Sequence, residues 1–131
     1  MQLLKECIFV GLGGFSGAVL RYLLTLIPVK SDFPLMTFIV NISGAVLIGF
    51  IVGAAGVIPN VSQSLVLFAK TGICGGYTTF STFALESVNL FKNQHRLLGI
   101  CYIVLSVVVC FLGVILGQYL AKLIFNTNIK L

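Results

Sequence analysis

Gly72-Ile73-Cys74-Gly75-Gly76-Tyr77-Thr78-Thr79-Phe80-Ser81-Thr82-Phe83 is the stretch on which the fold of this chain turns. Apolar sequence flanks it on both sides, yet its glycines and hydroxyl side chains make it a poor helix by intrinsic propensity. A membrane span from about Ser64 to Leu90, broken near its middle, is therefore expected. Irregular backbone at membrane depth is tolerated only where it is buried in protein or faces a cavity. Such a break leaves carbonyls on one half-helix end and amide N–H groups on the other, which attract cations and anions respectively.

Working outward, the spacing of charges sets the remaining spans. Arg96 and Lys122 bracket an uncharged run, Leu97 to Ala121, long enough to cross a bilayer, which needs about 20 apolar residues. Pro34 and Pro59 fence off another between Leu35 and Ile58, and turn formers from Gly56 to Ser64 separate it from the broken span. The first span is interrupted only by Arg21, which reaches the interface by snorkelling. A cleaved secretory signal fits it poorly, because the apolar stretch is long and no small-x-small site precedes Arg21. The expectation is one all-α membrane domain of four transmembrane helices over about 4–26, 34–56, 64–91 and 97–124, the third broken.

Composition agrees. Of 131 residues, 59% are hydrophobic and only 8% charged, against about 25% charged in a soluble domain. That excludes an ordinary cytosolic enzyme, a disordered tail and a nucleic-acid module; the net charge of +5 is scattered, with no basic run to track phosphates. Cys7, Cys74, Cys101 and Cys110 show neither C-x-x-C nor zinc spacing and read as small apolar packers. Gly11 to Gly17 approaches a dinucleotide fingerprint, but Ser16 stands at the third glycine position and no strand precedes it. One histidine, His95, in a solvated loop, and no paired carboxylates leave nothing for a hydrolytic or metal centre.

With four spans, Lys5, Lys70, Lys122 and Lys130 share one side and Arg21, Lys30, Lys92 and Arg96 the other. The positive-inside bias has almost nothing to act on. A chain that favours neither orientation inserts both ways, and the product of both forms is an antiparallel two-fold dimer. Glycine pairs at Gly13/Gly17, Gly49/Gly53, Gly72/Gly76 and Gly113/Gly117 point to a tightly packed multi-helix interface and support such assembly.

Polar side chains within the spans are the functional candidates. Asn41 is either a pore amide or interhelical glue. Phe80 and Phe83 fall on one helix face beside the hydroxyls of Ser81 and Thr82; they pack, or their positive ring edges hold a small anion. Tyr102, Ser106 and Cys110, at i, i+4 and i+8, form an ion ladder or ordinary helix glue. Glu86 is the only acidic residue within a span, near the end of the third, where Lys92, Arg96 or the break itself could partner it.

Three motifs together resemble the CrcB/Fluc fluoride channel family: Gly13 to Tyr22, Val40-Asn41-Ile42-Ser43-Gly44, and above all Gly75-Gly76-Tyr77-Thr78-Thr79-Phe80-Ser81-Thr82-Phe83. The resemblance implies a passive fluoride-selective channel of the bacterial inner membrane. It implies a dual-topology homodimer with two antiparallel pores that exports fluoride and lowers its toxic concentration. By motif position, Asn41 would be the pore amide, Phe80 and Phe83 the rings lining the fluoride path, and Tyr102 and Ser106 part of a polar track. Gly75 and Thr78 would give backbone carbonyls to a structural sodium ion at the dimer centre. Cys110 departs from the track, where a hydroxyl is expected, and Arg21 and Glu86 read as structural. The alternative is a small proton-coupled multidrug exporter of dual topology, which needs a carboxylate in the first span; only Glu6, at its very start, is available. A scaffold subunit without ion flux is the third reading.

Overall fold

The computed structural model describes residues 1–126; Lys130, counted in the charge balance, lies outside them. Among the described residues the chain is all helical. Helices α1 (Gln2–Thr25), α2 (Leu35–Val57) and α6 (Arg96–Asn126) are each long and apolar enough to cross a membrane. Their outward faces carry Leu12, Phe15, Leu47, Leu105 and Ile115, exposed as lipid-facing residues are. The protein is a multi-pass membrane protein.

The third segment is built in pieces. A turn of α-helix, α3 (Gln63–Val66), widens into a π-helical stretch, Leu67–Cys74, and one further turn, α4 (Gly75–Tyr77), closes it. Thr78 and Thr79 are extended, with φ/ψ of −76/158 and −149/112, and helix α5 (Phe80–Lys92) starts anew. The break therefore falls in the expected stretch but not at its glycines. Gly75 keeps helical angles of −64/−36. The two β-branched threonines are the residues that leave the helix, which suits their preference for extended backbone.

The glycines have another task. A methyl on Gly17 would fall on the Ile73 carbonyl, one on Gly76 on the Gly14 carbonyl, and one on Gly72 2.8 Å from Gly13 Cα. The second seam joins α2 to α6: a methyl on Gly49 would strike the Val114 carbonyl and one on Gly117 the Val46 carbonyl. Gly13 meets Phe68 and Gly72 while Gly17 meets Ile73 and Tyr77, so α1 and the π-stretch run in the same direction. Gly49 meets Val114 and Gly53 meets Gln118 and Ala121, so α2 and α6 do too. Because each pair is already used within one chain, the glycine spacing gives no support to assembly between chains, contrary to the expectation above.

The molecule is thus two parallel glycine-seamed pairs, and the break carries the third segment from one to the other. Before it the chain packs on α1; after it, α5 packs on α6. There Phe83, Leu90 and Tyr102 form a buried cluster with Phe33, Phe38, Leu98 and Ile103 around it. Ring pairs Phe33–Tyr102 and Phe33–Phe38 meet edge to face at 5.2 and 5.3 Å, a favourable arrangement of ring quadrupoles.

Candidate functional site

Opening a helix at membrane depth exposes backbone groups that must be satisfied inside the protein. Asn41, on α2, answers for Thr79: the Thr79 amide donates to Asn41 Oδ1 at 2.8 Å, and Asn41 Nδ2 donates to the Thr79 carbonyl at 3.1 Å. The carboxamide copies the pairing a neighbouring strand would give. It also takes the amide that a continuous helix would aim at the Gly75 carbonyl. One Nδ2 hydrogen of Asn41 remains, since a carboxamide carries two.

Thr79 then caps α5. Its Oγ1 accepts from the Thr82 amide at 3.2 Å, donates to Thr82 Oγ1 at 3.0 Å and lies 3.3 Å from Ser81 Oγ. This is the N-cap arrangement, worth about 1 kcal/mol. Upstream, Thr78 Oγ1 returns to the Cys74 carbonyl at 2.9 Å, and Tyr77 OH shares a 2.9 Å hydrogen bond with Ser43 of α2.

Around the break lie two cavities. The first, about 400 Å³, is a groove lined by Asn41, Gly75, Thr78, Thr79, Phe80, Phe83, Ser106 and Cys110. The Phe80 and Phe83 rings stand 5.5 Å apart, tilted by 48°. Phe83 is buried at 8% exposure, whereas Phe80 is 79% exposed, so the groove lies open on one face of the chain. Ser106 is buried in its wall, and its Oγ has no hydrogen-bond partner. Such an orphan is costly unless something fills the place.

The second cavity, about 410 Å³, lies across the extended link and is lined by Arg21, Thr37, Thr79, Thr82 and Glu86, among others. Glu86 is held by two hydroxyls: Thr37 donates to Oε1 at 2.8 Å and Tyr102 to Oε2 at 2.8 Å. These, rather than Lys92, Arg96 or the break, are its partners. Burial of an acidic group is compensated here by direct donors.

The expected residues therefore separate into groups. Asn41, Gly75, Thr78, Phe80, Phe83, Ser106 and Cys110 share the groove. Thr82 faces the second cavity, and Ser81 is exposed beside the Thr79 cap. Tyr102 does not line the groove; its ring packs on Phe83 at 5.2 Å and its hydroxyl is committed to Glu86. Arg21 borders the second cavity with Glu86. Two residues escaped the sequence reading. Thr79 joins the two cavities and is hydrogen-bonded to three residues, Asn41, Ser81 and Thr82. Thr37 lies one turn before Asn41 on α2, a spacing that was available as a signal.

For a cation, the candidate donors are the carbonyls of the opened end, Gly75 and Thr78, both on the groove wall. They are hard oxygen ligands of the type that unwound backbone offers sodium. Among the described residues no group of three His, Cys, Asp or Glu is placed to hold a metal. Glu6 lies in the first turns of α1 and accepts from Gln2 at 3.3 Å.

Comparison with known proteins adds a second line. The family described as CrcB-like protein, Camphor Resistance (CrcB) matches residues 8–118. Over 128 residues the chain is 44% identical to the fluoride-specific ion channel FluC of Clostridium perfringens (strain 13 / Type A), covering 95% of this chain and 100% of that one. The FluC of Flavobacterium psychrophilum is 41% identical over 122 residues, covering 91% and 98%. That of Methanococcus aeolicus is 37% identical over 124 residues, covering 94% and 100%.

Proposed function

The chain belongs to the CrcB family, and on that premise we propose that it is a passive, fluoride-selective channel of the bacterial inner membrane. It lets fluoride leave the cytoplasm down its gradient and so lowers a toxic concentration. It is a channel, not an enzyme. The observation that carries the reading is the Ser106 hydroxyl, buried without a partner in the wall of the groove that also holds Asn41 and the two phenylalanines.

Burying a bare small anion costs tens of kcal/mol by a Born argument, so the path must replace water stepwise. The groove offers weak donors in series: the spare Asn41 N–H, the Ser106 hydroxyl and the edges of Phe80 and Phe83. Cys110 adds a weaker S–H donor where a hydroxyl is the family expectation. Beyond the extended link, Thr82 and Glu86 continue the polar lining, with Tyr102 donating to Glu86 from the buried side. None of these binds strongly, and conduction requires release.

One chain leaves the groove open. A second copy, inserted in the opposite sense, closes it, and the exposed Phe80, Val107 and Phe111 beside the groove are the surface that copy covers. The near-equal charge balance supports dual topology. At the two-fold axis the Gly75 and Thr78 carbonyls of both copies would hold a structural sodium ion. When bound, that ion supplies a fixed positive field and neutralises facing carbonyls.

Purified protein in fluoride-loaded liposomes tests the reading. Release without a proton gradient, at rates far above carrier turnover, is the expected result. Release only against proton counterflow would support the small multidrug exporter instead, although Glu6 at the start of α1 is poorly placed for that task.

A further inference from the structure

Among the described residues, the groove that holds Asn41, Phe83 and Ser106 has a single formal charge on its walls, the ammonium of Lys70. Lys70 is exposed and sits in the π-stretch. Thr78 lies eight positions further on, about 12 Å at the rise of an α-helix. No carboxylate faces it across the groove. Of the acidic residues Glu6, Asp32 and Glu86, the last is held by Thr37 and Tyr102 at the other cavity. The remaining wall is largely apolar, so little competes with this charge.

We infer that Lys70 is the anion-gathering charge of the pathway: it raises the local fluoride concentration at the groove mouth and sets the capture rate, without joining the series of donors. The inference rests on the channel reading above. A cation beside low-dielectric walls focuses its field along the cleft and speeds capture of the opposite charge. Its exposure matters as much as its sign. A dry ammonium touching fluoride would hold it, whereas a hydrated one attracts and lets go.

Range separates this role from a contact. The screening length is about 30 Å at 0.01 M salt and about 3 Å at 1 M, so a charge about 12 Å from the break reaches it in dilute salt and not in concentrated salt. A lost hydrogen bond would slow transport equally in both.

The experiment compares wild type, Lys70→Gln, Lys70→Met and Lys70→Arg in liposomes, with initial fluoride efflux read at about 0.01 M and about 1 M of an impermeant salt. Both neutral variants should be roughly threefold slower than wild type in dilute salt and match it in concentrated salt. Lys70→Arg should match wild type in both. Neutral variants as fast as wild type in dilute salt, or slowed by the same factor in both salts, would overturn the inference while leaving the channel reading intact. Wild-type liposomes that release no fluoride would sink the channel reading and this inference with it. Monodisperse elution of each variant shows that the comparison is between folded proteins, and the two neutral substitutions make it independent of either one.

Discussion

The α2/α6 seam and the link at Thr78–Thr79 lie side by side in one bundle and are held by opposite means. Along the seam, Gly49 and Gly117 bring backbone against backbone. At the link, backbone is opened, and Asn41, Thr79, Thr82 and Tyr77 supply a dense set of hydrogen bonds. Lipid gives helices no hydrophobic reason to associate, so closed backbone coheres by close approach. Opened backbone has no such option, because each unpaired group costs several kcal/mol in hydrocarbon. Around the link, polar side chains mark where the helix was given up.

Three substitutions probe that contrast. The largest effect belongs to Gly117→Ala, whose methyl would run into the Val46 carbonyl and 2.7 Å from the Phe50 amide nitrogen. Overpacking against backbone costs about 1–3 kcal/mol or forces the helices apart, and thermal unfolding in detergent should show a clear loss of stability. Gly56→Ala is its counterpart: nothing lies within 4 Å, and the change should stabilise α2 slightly. Equal losses in both would mean the seam is not the source of cohesion.

Next comes Asn41→Leu, which strips both partners from the Thr79 backbone. Two lost hydrogen bonds amount to about 2 kcal/mol net, and fluoride efflux should fall by more than tenfold. Asn41→Asp keeps the acceptor for the Thr79 amide and loses the donor, so it should be intermediate in stability. The smallest effect is expected for Thr79→Val, which keeps the β-branched shape and loses the cap, about 1 kcal/mol. Efflux should drop a few-fold while elution stays monodisperse. A Thr79→Val protein as impaired as Asn41→Leu would show that the hydroxyl, and not the backbone pairing, holds the link.

Much of the fold was legible because charge and proline mark the ends of apolar runs. The interruption in the third segment was legible too, but its cause was misread. Propensity measured in water makes Gly75 and Gly76 look like the weak point, whereas both remain helical and Gly76, against Gly14 of α1, is what permits close contact. The threonines after them carry the change of direction. Spacing also cannot name a partner. Gly49/Gly53 reads the same whether it meets another chain or α6 of its own, and only the folded neighbours decide.

The stripe Tyr102, Ser106, Cys110 divides between two surroundings for a geometric reason. Steps of four residues drift by about 40° each around an α-helix. One end turns toward Glu86 on α5 and the other toward the groove. Ser106 and Cys110 were placed together by the sequence; Tyr102 was not separable from them without knowing where α5 lies. The Glu86 partners were equally hidden, since Thr37 is 49 residues away in sequence.

Thr79 forms part of the wall of both cavities. A partition common to two chambers cannot be shifted for one alone. Any twist about its extended bonds resizes both at once, so the two compartments are mechanically ganged, and a change selected for one is tried in the other at the same moment.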